Sequence, residues 1–93
     1  MSNRVTRIEE LLRAHFVVTE LIVLDDSAAH AGHAGSQGGA GHFRVSIRSE
    51  AFTGQRMLSR HRMVYKALES LIPDDIHALS IEALSPVESA SLV

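Results

Sequence analysis

Ninety-three residues, 45% of them apolar, provide for one small hydrophobic core and no second domain. No apolar run approaches the 18 residues of a membrane span, and the absence of cysteine excludes disulfides and any cysteine-built metal site. The net charge of −2 is unevenly spread: between residues 42 and 66, six basic side chains face the single acid Glu50, so this +5 segment sits in an otherwise acidic chain.

The opening stretch, MSNRVTRIEELLRAHF, places Val5, Ile8, Leu11, Leu12 and Phe16 at helical spacing, with Ser2, Asn3 and a Thr6/Glu9 capping box as candidate caps. A helix through about residue 14 is predicted. Acids and helical periodicity stand where an export signal would carry an apolar core and a cleavage site, so an intracellular, cytoplasmic protein is expected. His15 near the carbonyl end of this helix has a structural reading.

LIVL (21–24) is a continuous β-favouring run, and HFRVSIRS (42–49) alternates Phe43, Val45 and Ile47 against Arg44, Ser46 and Arg48. They predict strands one and two. Between them lies a glycine- and histidine-rich loop, 26–41, with His30 and His33 inside it and His42 at its exit. Structureless connections beyond about 12–15 residues are uncommon in compact domains and usually functional or disordered.

EAFTG predicts a helical turn stopped at Gly54, and residues 55–72 predict the longest helix. Its apolar stripe is read as Leu58, His61, Tyr65, Leu68 and Ile72, which makes His61 a hydrogen-bonded core residue. IHALSIEA predicts strand three. Ser85, Pro86 and Glu88 combine the signals of a helix start in a segment too short to persist as one. The chain therefore divides into a single domain, 1–85, and a short tail, 86–93.

This α-β-β-α-α-β order defines an α+β fold: a three-stranded mixed sheet with helices on one face. If strand two descends beside strand one and the long helix climbs back, strand three runs parallel to strand two by a right-handed crossover. His77 then starts strand three at the sheet end that carries the histidine loop, and strict alternation puts it on the face of Leu79 and Ile81. His42, alternating with the polar face, has a surface or loop-anchoring role as its default.

The blocks DDSAAHAGHAG, GHFRVSI, FTGQRMLSRHRMVYKAL and IHALSI together resemble the BolA family over nearly the whole chain. The resemblance implies a fold of the class II KH kind and action as an adaptor with a monothiol CGFS glutaredoxin, sharing a bridging 2Fe-2S cluster in a heterodimer. Some members of the family act as transcriptional regulators. Matched residue by residue, the strand-borne cluster ligand is His77 and the loop ligand His30, with His33 three residues on as its competitor. The family's terminal T-P-E-E-W is replaced here by SPVES, without tryptophan.

The donor set agrees with shared ligation. Two histidines can replace two cysteines on one iron of a 2Fe-2S cluster, and this chain offers imidazoles and no thiolate. It is therefore expected to hold no cluster alone, where it is a monomer, and to need a partner cysteine and glutathione for the other iron. The rival reading is a DNA-binding module: Arg56, Arg62 and Lys66 fall on one polar side of the long helix, within reach of phosphates. However, the KH GXXG loop reads Gly54-Gln55-Arg56-Met57 here and lacks the second glycine. Asp25, Asp26, Ser27 and His30 make no nucleophile elbow, so an enzyme is not expected, nor is a membrane partner.

Overall fold

The structure, a computed structural model, describes residues 3–26 and 41–88. Its elements are α1 (Arg4–His15), β1 (Val18–Asp25), β2 (Gly41–Ser49), α2 (Met57–Ala67) and β3 (Ile76–Leu84), with 3-10 turns at Glu50–Phe52 and Glu69–Leu71. Asn3 caps α1, its side chain accepting the Thr6 N–H at 2.8 Å. Thr6, expected to open a capping box with Glu9, lies within the first turn instead.

The sheet has the order β1-β2-β3, with β1 antiparallel and β3 parallel to β2, as the crossover rule requires. Phe43, Val45 and Ile47 of β2 are buried under the helices with Val23, Ile76 and Ala83. Ile8 and Leu12 of α1 close this core, as do Val64 and Ala67 of α2. Phe52 joins it beside Phe16, their ring centroids 5.2 Å apart. Among the described residues, nothing covers the opposite sheet face. Ile22 and Leu24 are about half exposed there, and with Arg44, Ser46, Ser80 and Glu82 they line a shallow groove.

The long helix departs from expectation in length and in facing. It ends at Ala67 because Leu68 (φ −104°, ψ 8°) leaves helical geometry, and a 3-10 turn completes the segment. Its buried side chains are Arg60, Val64 and Ala67, followed by Leu68 and Leu71. Leu58 is 61% and Tyr65 42% exposed, so the Leu58–His61–Tyr65 stripe does not face the core. The physical reason is Arg60. Only 6% exposed, it donates from Nε to the Gln55 carbonyl (2.9 Å) and from Nη1 to the Ala83 carbonyl (2.9 Å) and Glu88 Oε1 (2.7 Å). With every one of these groups satisfied, a cation can stand where pattern reading places an apolar residue. His61 is half-buried, and its Nε2 has no hydrogen-bond partner among the described residues, in contrast to the expected satisfied core histidine.

Ser85–Glu88 forms a turn and no helix. The Ser85 N–H donates to Glu88 Oε1 at 2.7 Å, and Arg48 donates to the Ser85 and Glu88 carbonyls. The Ser85 backbone bond, followed by the Arg60 side-chain bond, lowers the Glu88 carboxyl to about 2. Among the described residues no helix is long and apolar enough to cross a membrane.

Candidate functional site

Three chain segments meet at one end of the sheet. β1 leaves it at Asp25, β2 enters at Gly41, and β3 starts beside Gly41 at Ile76. The Asp26 N–H donates to the His42 carbonyl at 2.7 Å, and the Gly41 N–H donates to the Asp75 carbonyl at 3.0 Å. Both boundaries of the undescribed 27–40 segment are therefore pinned to this end. Arg44 Nε adds an ion pair to Asp26 at 3.5 Å.

Asp75 secures the entry to β3. Its N–H donates to the Leu71 carbonyl at 2.8 Å. Its carboxylate accepts from Arg4 Nε at 3.1 Å and from both terminal nitrogens of Arg7 at 3.3 Å. The Arg4 hydrogen bond, with the charge of Arg7 working against desolvation, holds this carboxyl below its ordinary range. One acid thus links α1, β2 and the first residues of β3.

His77 stands next in line, and here strict alternation fails. The β2–β3 register shifts between the pairs Gly41/Ile76 and His42/Ala78, leaving His77 as the extra residue of β3. Ile76 consequently enters the core and His77 is exposed, whereas Leu79 and Ile81 pack against the core. The expected sharing of a face by His77, Leu79 and Ile81 is corrected by this bulge. The His77 ring instead lies beside that of half-buried His42, with centroids 5.3 Å apart and planes inclined by 58°.

His42 is thus the site residue that sequence reasoning missed. It is the second residue of β2, opposite Ala78, and its approach to His77 depends on the register shift, which no sequence signal marks. The predicted loop ligands His30 and His33 lie outside the described residues. Among the described residues no group of three or more histidine, cysteine, aspartate or glutamate side chains is arranged to hold a metal ion.

The predicted basic residues fall elsewhere. Arg62 and Lys66 line a groove with His15, Phe16, Met63 and Ala67, between the end of α1 and α2. Arg56 is the exposed N-cap of α2, following Gly54 at φ +76°. Toward β3, Tyr65 Oη donates to the Leu79 carbonyl at 3.3 Å, while Met57 and Leu58 leave apolar surface in solvent.

Together these features define a two-layer α+β domain whose mixed sheet carries exposed His77 beside half-buried His42 at one end. A family model described as BolA-like protein matches residues 12–88, and the chain belongs to that family. It is 40% identical to protein BOLA1, chloroplastic, of Arabidopsis thaliana, over 98% of this chain and 59% of that protein. It is 45% identical to the DNA-binding transcriptional regulator BolA of Escherichia coli, over 81% of this chain and 69% of that one. The structure of BolA1 from Arabidopsis thaliana superposes with a TM-score of 0.82, covering 97% of this chain and 99% of that one. The BolA domain of SufE1 from the same plant also gives 0.82 at 39% identity, covering 96% and 99%. The chain spans about three fifths of chloroplastic BOLA1 and a quarter of SufE-like protein 1.

Proposed function

We propose that this chain is a cytoplasmic adaptor, and not an enzyme, that pairs with a monothiol CGFS glutaredoxin to share a 2Fe-2S cluster in iron-sulfur trafficking or redox regulation. The observation that carries the reading is the exposure of His77 at the sheet end where both boundaries of the 27–40 segment are pinned. The cluster is cargo held between two proteins. His77 and His30, or His33 in its place, supply two neutral imidazoles to one iron, and the partner's cysteine with glutathione supplies the other pair. The donor set fits half a cluster, because the chain contains no cysteine.

The test mixes the chain with a CGFS glutaredoxin, iron, sulfide and glutathione, and records visible absorption and circular dichroism. A heterodimer with a spectrum unlike that of the glutaredoxin homodimer is expected, and no cluster on this chain alone. His77→Ala should abolish the histidine-ligated spectrum. His30→Ala should weaken or shift it, and the His30/His33 double substitution should approach the loss seen with His77→Ala. A folded His77→Ala protein that keeps the full heterodimer spectrum overturns the assignment.

A second reading, DNA binding, is favoured by Arg62 and Lys66 lining one groove and by the description of the Escherichia coli relative as a DNA-binding transcriptional regulator. Phosphate contacts of this kind give affinity with little sequence preference.

A further inference from the structure

We infer that the groove between the end of α1 and α2 docks an acidic peptide segment with an apolar anchor, carried by a partner protein. The inference requires no cluster, and it assigns this groove a ligand other than the nucleic acid of the second reading above.

The distribution of ion pairs singles the groove out. Among the described residues, Arg4 and Arg7 are paired with Asp75, Arg44 with Asp26, Arg48 with Glu20 and Arg60 with Glu88. Arg62 and Lys66 have no ion-pair partner there. Both are exposed and stand one helical turn apart on the same side of α2. They share the groove with His15, Phe16, Met63 and Ala67, and no described acid lines it. The carbonyl ends of α1 and α2 bring about half a negative charge each. His15 offsets the first by donating from Nδ1 to the Leu11 carbonyl at 2.9 Å, and the two full cations outweigh the second.

The floor narrows the choice of anion. Phe16 and Met63 are half-buried against the core and Ala67 is buried, so cationic walls stand over an apolar base. A sugar-phosphate backbone has no apolar group to cover that base. The Phe16 ring, packed on Phe52 at 5.2 Å, is anchored in the core instead of standing out as a stacking platform for nucleobases. Acids flanking a leucine or methionine satisfy both parts of the groove. Their carboxylates pair with Arg62 and Lys66, and the anchor covers Phe16 and the adaptable thioether of Met63.

The experiment uses the full chain at physiological ionic strength, which screens loose charge attraction. The probe is a labelled, acetylated peptide of Glu-Leu-Leu-Glu repeats, and its two counterparts carry lysine for glutamate or serine for leucine. Fluorescence anisotropy reads affinity, and ¹⁵N NMR of the chain maps the contact. The acidic apolar peptide is expected to bind and to shift the amides of residues 15–16 and 62–67. Both counterparts should bind at least tenfold more weakly, as should the probe to Arg62→Ala/Lys66→Ala, whose side chains lie in solvent and leave the fold intact. Carbodiimide should join a peptide carboxylate to Lys66, the only lysine of the chain. Absence of binding overturns the inference, as does equal binding of the serine counterpart or a contact mapped outside the groove. Displacement of the peptide by an equal concentration of duplex DNA or of phosphatidylserine vesicles also overturns it, in favour of those ligands. If the double variant unfolds, the peptide counterparts and the contact map decide.

Discussion

Replacing Arg60 by methionine tests the core directly, because sequence pattern and structure disagree about which residue of α2 faces inward. Methionine keeps the unbranched stem and much of the volume but removes the guanidinium. The carbonyl of fully buried Ala83 then loses the Nη1 donor, a group whose isolation costs about 1–3 kcal/mol. The charge-assisted bond to the Gln55 carbonyl, at about 1.5–3 kcal/mol, is lost as well. Glu88 is partly exposed and regains water. Because the methionine stem restores part of the packing, a net loss of about 3 kcal/mol is expected, near the low end for breaking a buried ionic contact. A domain of this size has about 5–14 kcal/mol of stability, so a large fraction is removed. Leu58→Gln on the same helix should change stability by about 0.5 kcal/mol or less, as its side chain is already in solvent. The assay is urea unfolding of both variants beside the parent chain, followed by far-ultraviolet circular dichroism. A Leu58→Gln loss equal to or greater than that of Arg60→Met would refute the assigned facing of α2.

Acid should unfold the protein through Asp75 and Glu88. Both carboxyls lie below their ordinary values of 3.8 and 4.5 when folded, Glu88 at about 2, so the unfolded chain binds more protons in the window between. Their stabilisation is complete above about pH 5 and is lost as pH falls through the folded values. In urea midpoints measured from pH 7 to 2.5, the gap between the parent chain and Glu88→Gln should therefore narrow toward acid, and a constant gap would contradict the Glu88 assignment. For DNA, binding should be weak and salt-sensitive with little sequence preference. The Arg62→Ala/Lys66→Ala variant should flatten the slope of log K against log salt by about 2, as expected for two lost phosphate contacts. Nanomolar binding to one defined site at physiological salt would instead make DNA recognition the leading function.

The alternation of Phe43, Val45 and Ile47 made β2 legible in the sequence, and the handedness of crossovers made its parallel pairing with β3 legible too. Three features were not. Arg60 reads as a surface cation because its partners come from the 55, 83 and 88 positions, which no local pattern connects. The face of His77 depends on a one-residue register shift, and a period-2 argument cannot see an inserted residue. His42 followed the polar alternation and was read as surface. Its contact with a histidine thirty-five residues away appears only once strands and bulge are placed together.

The two backbone bonds that close the sheet end, from Asp26 to His42 and from Gly41 to Asp75, bear on how this architecture tolerates change. Because each clamp is made by residues outside the 27–40 span, the scaffold sets no fixed length for what lies between them. Doubling a closed loop adds only about 0.6 kcal/mol of entropy. The span can lengthen or change in sequence while β2 and β3 keep their pairing. Whatever the span does, His77, embedded in β3, keeps its place relative to the β2–β3 pairing.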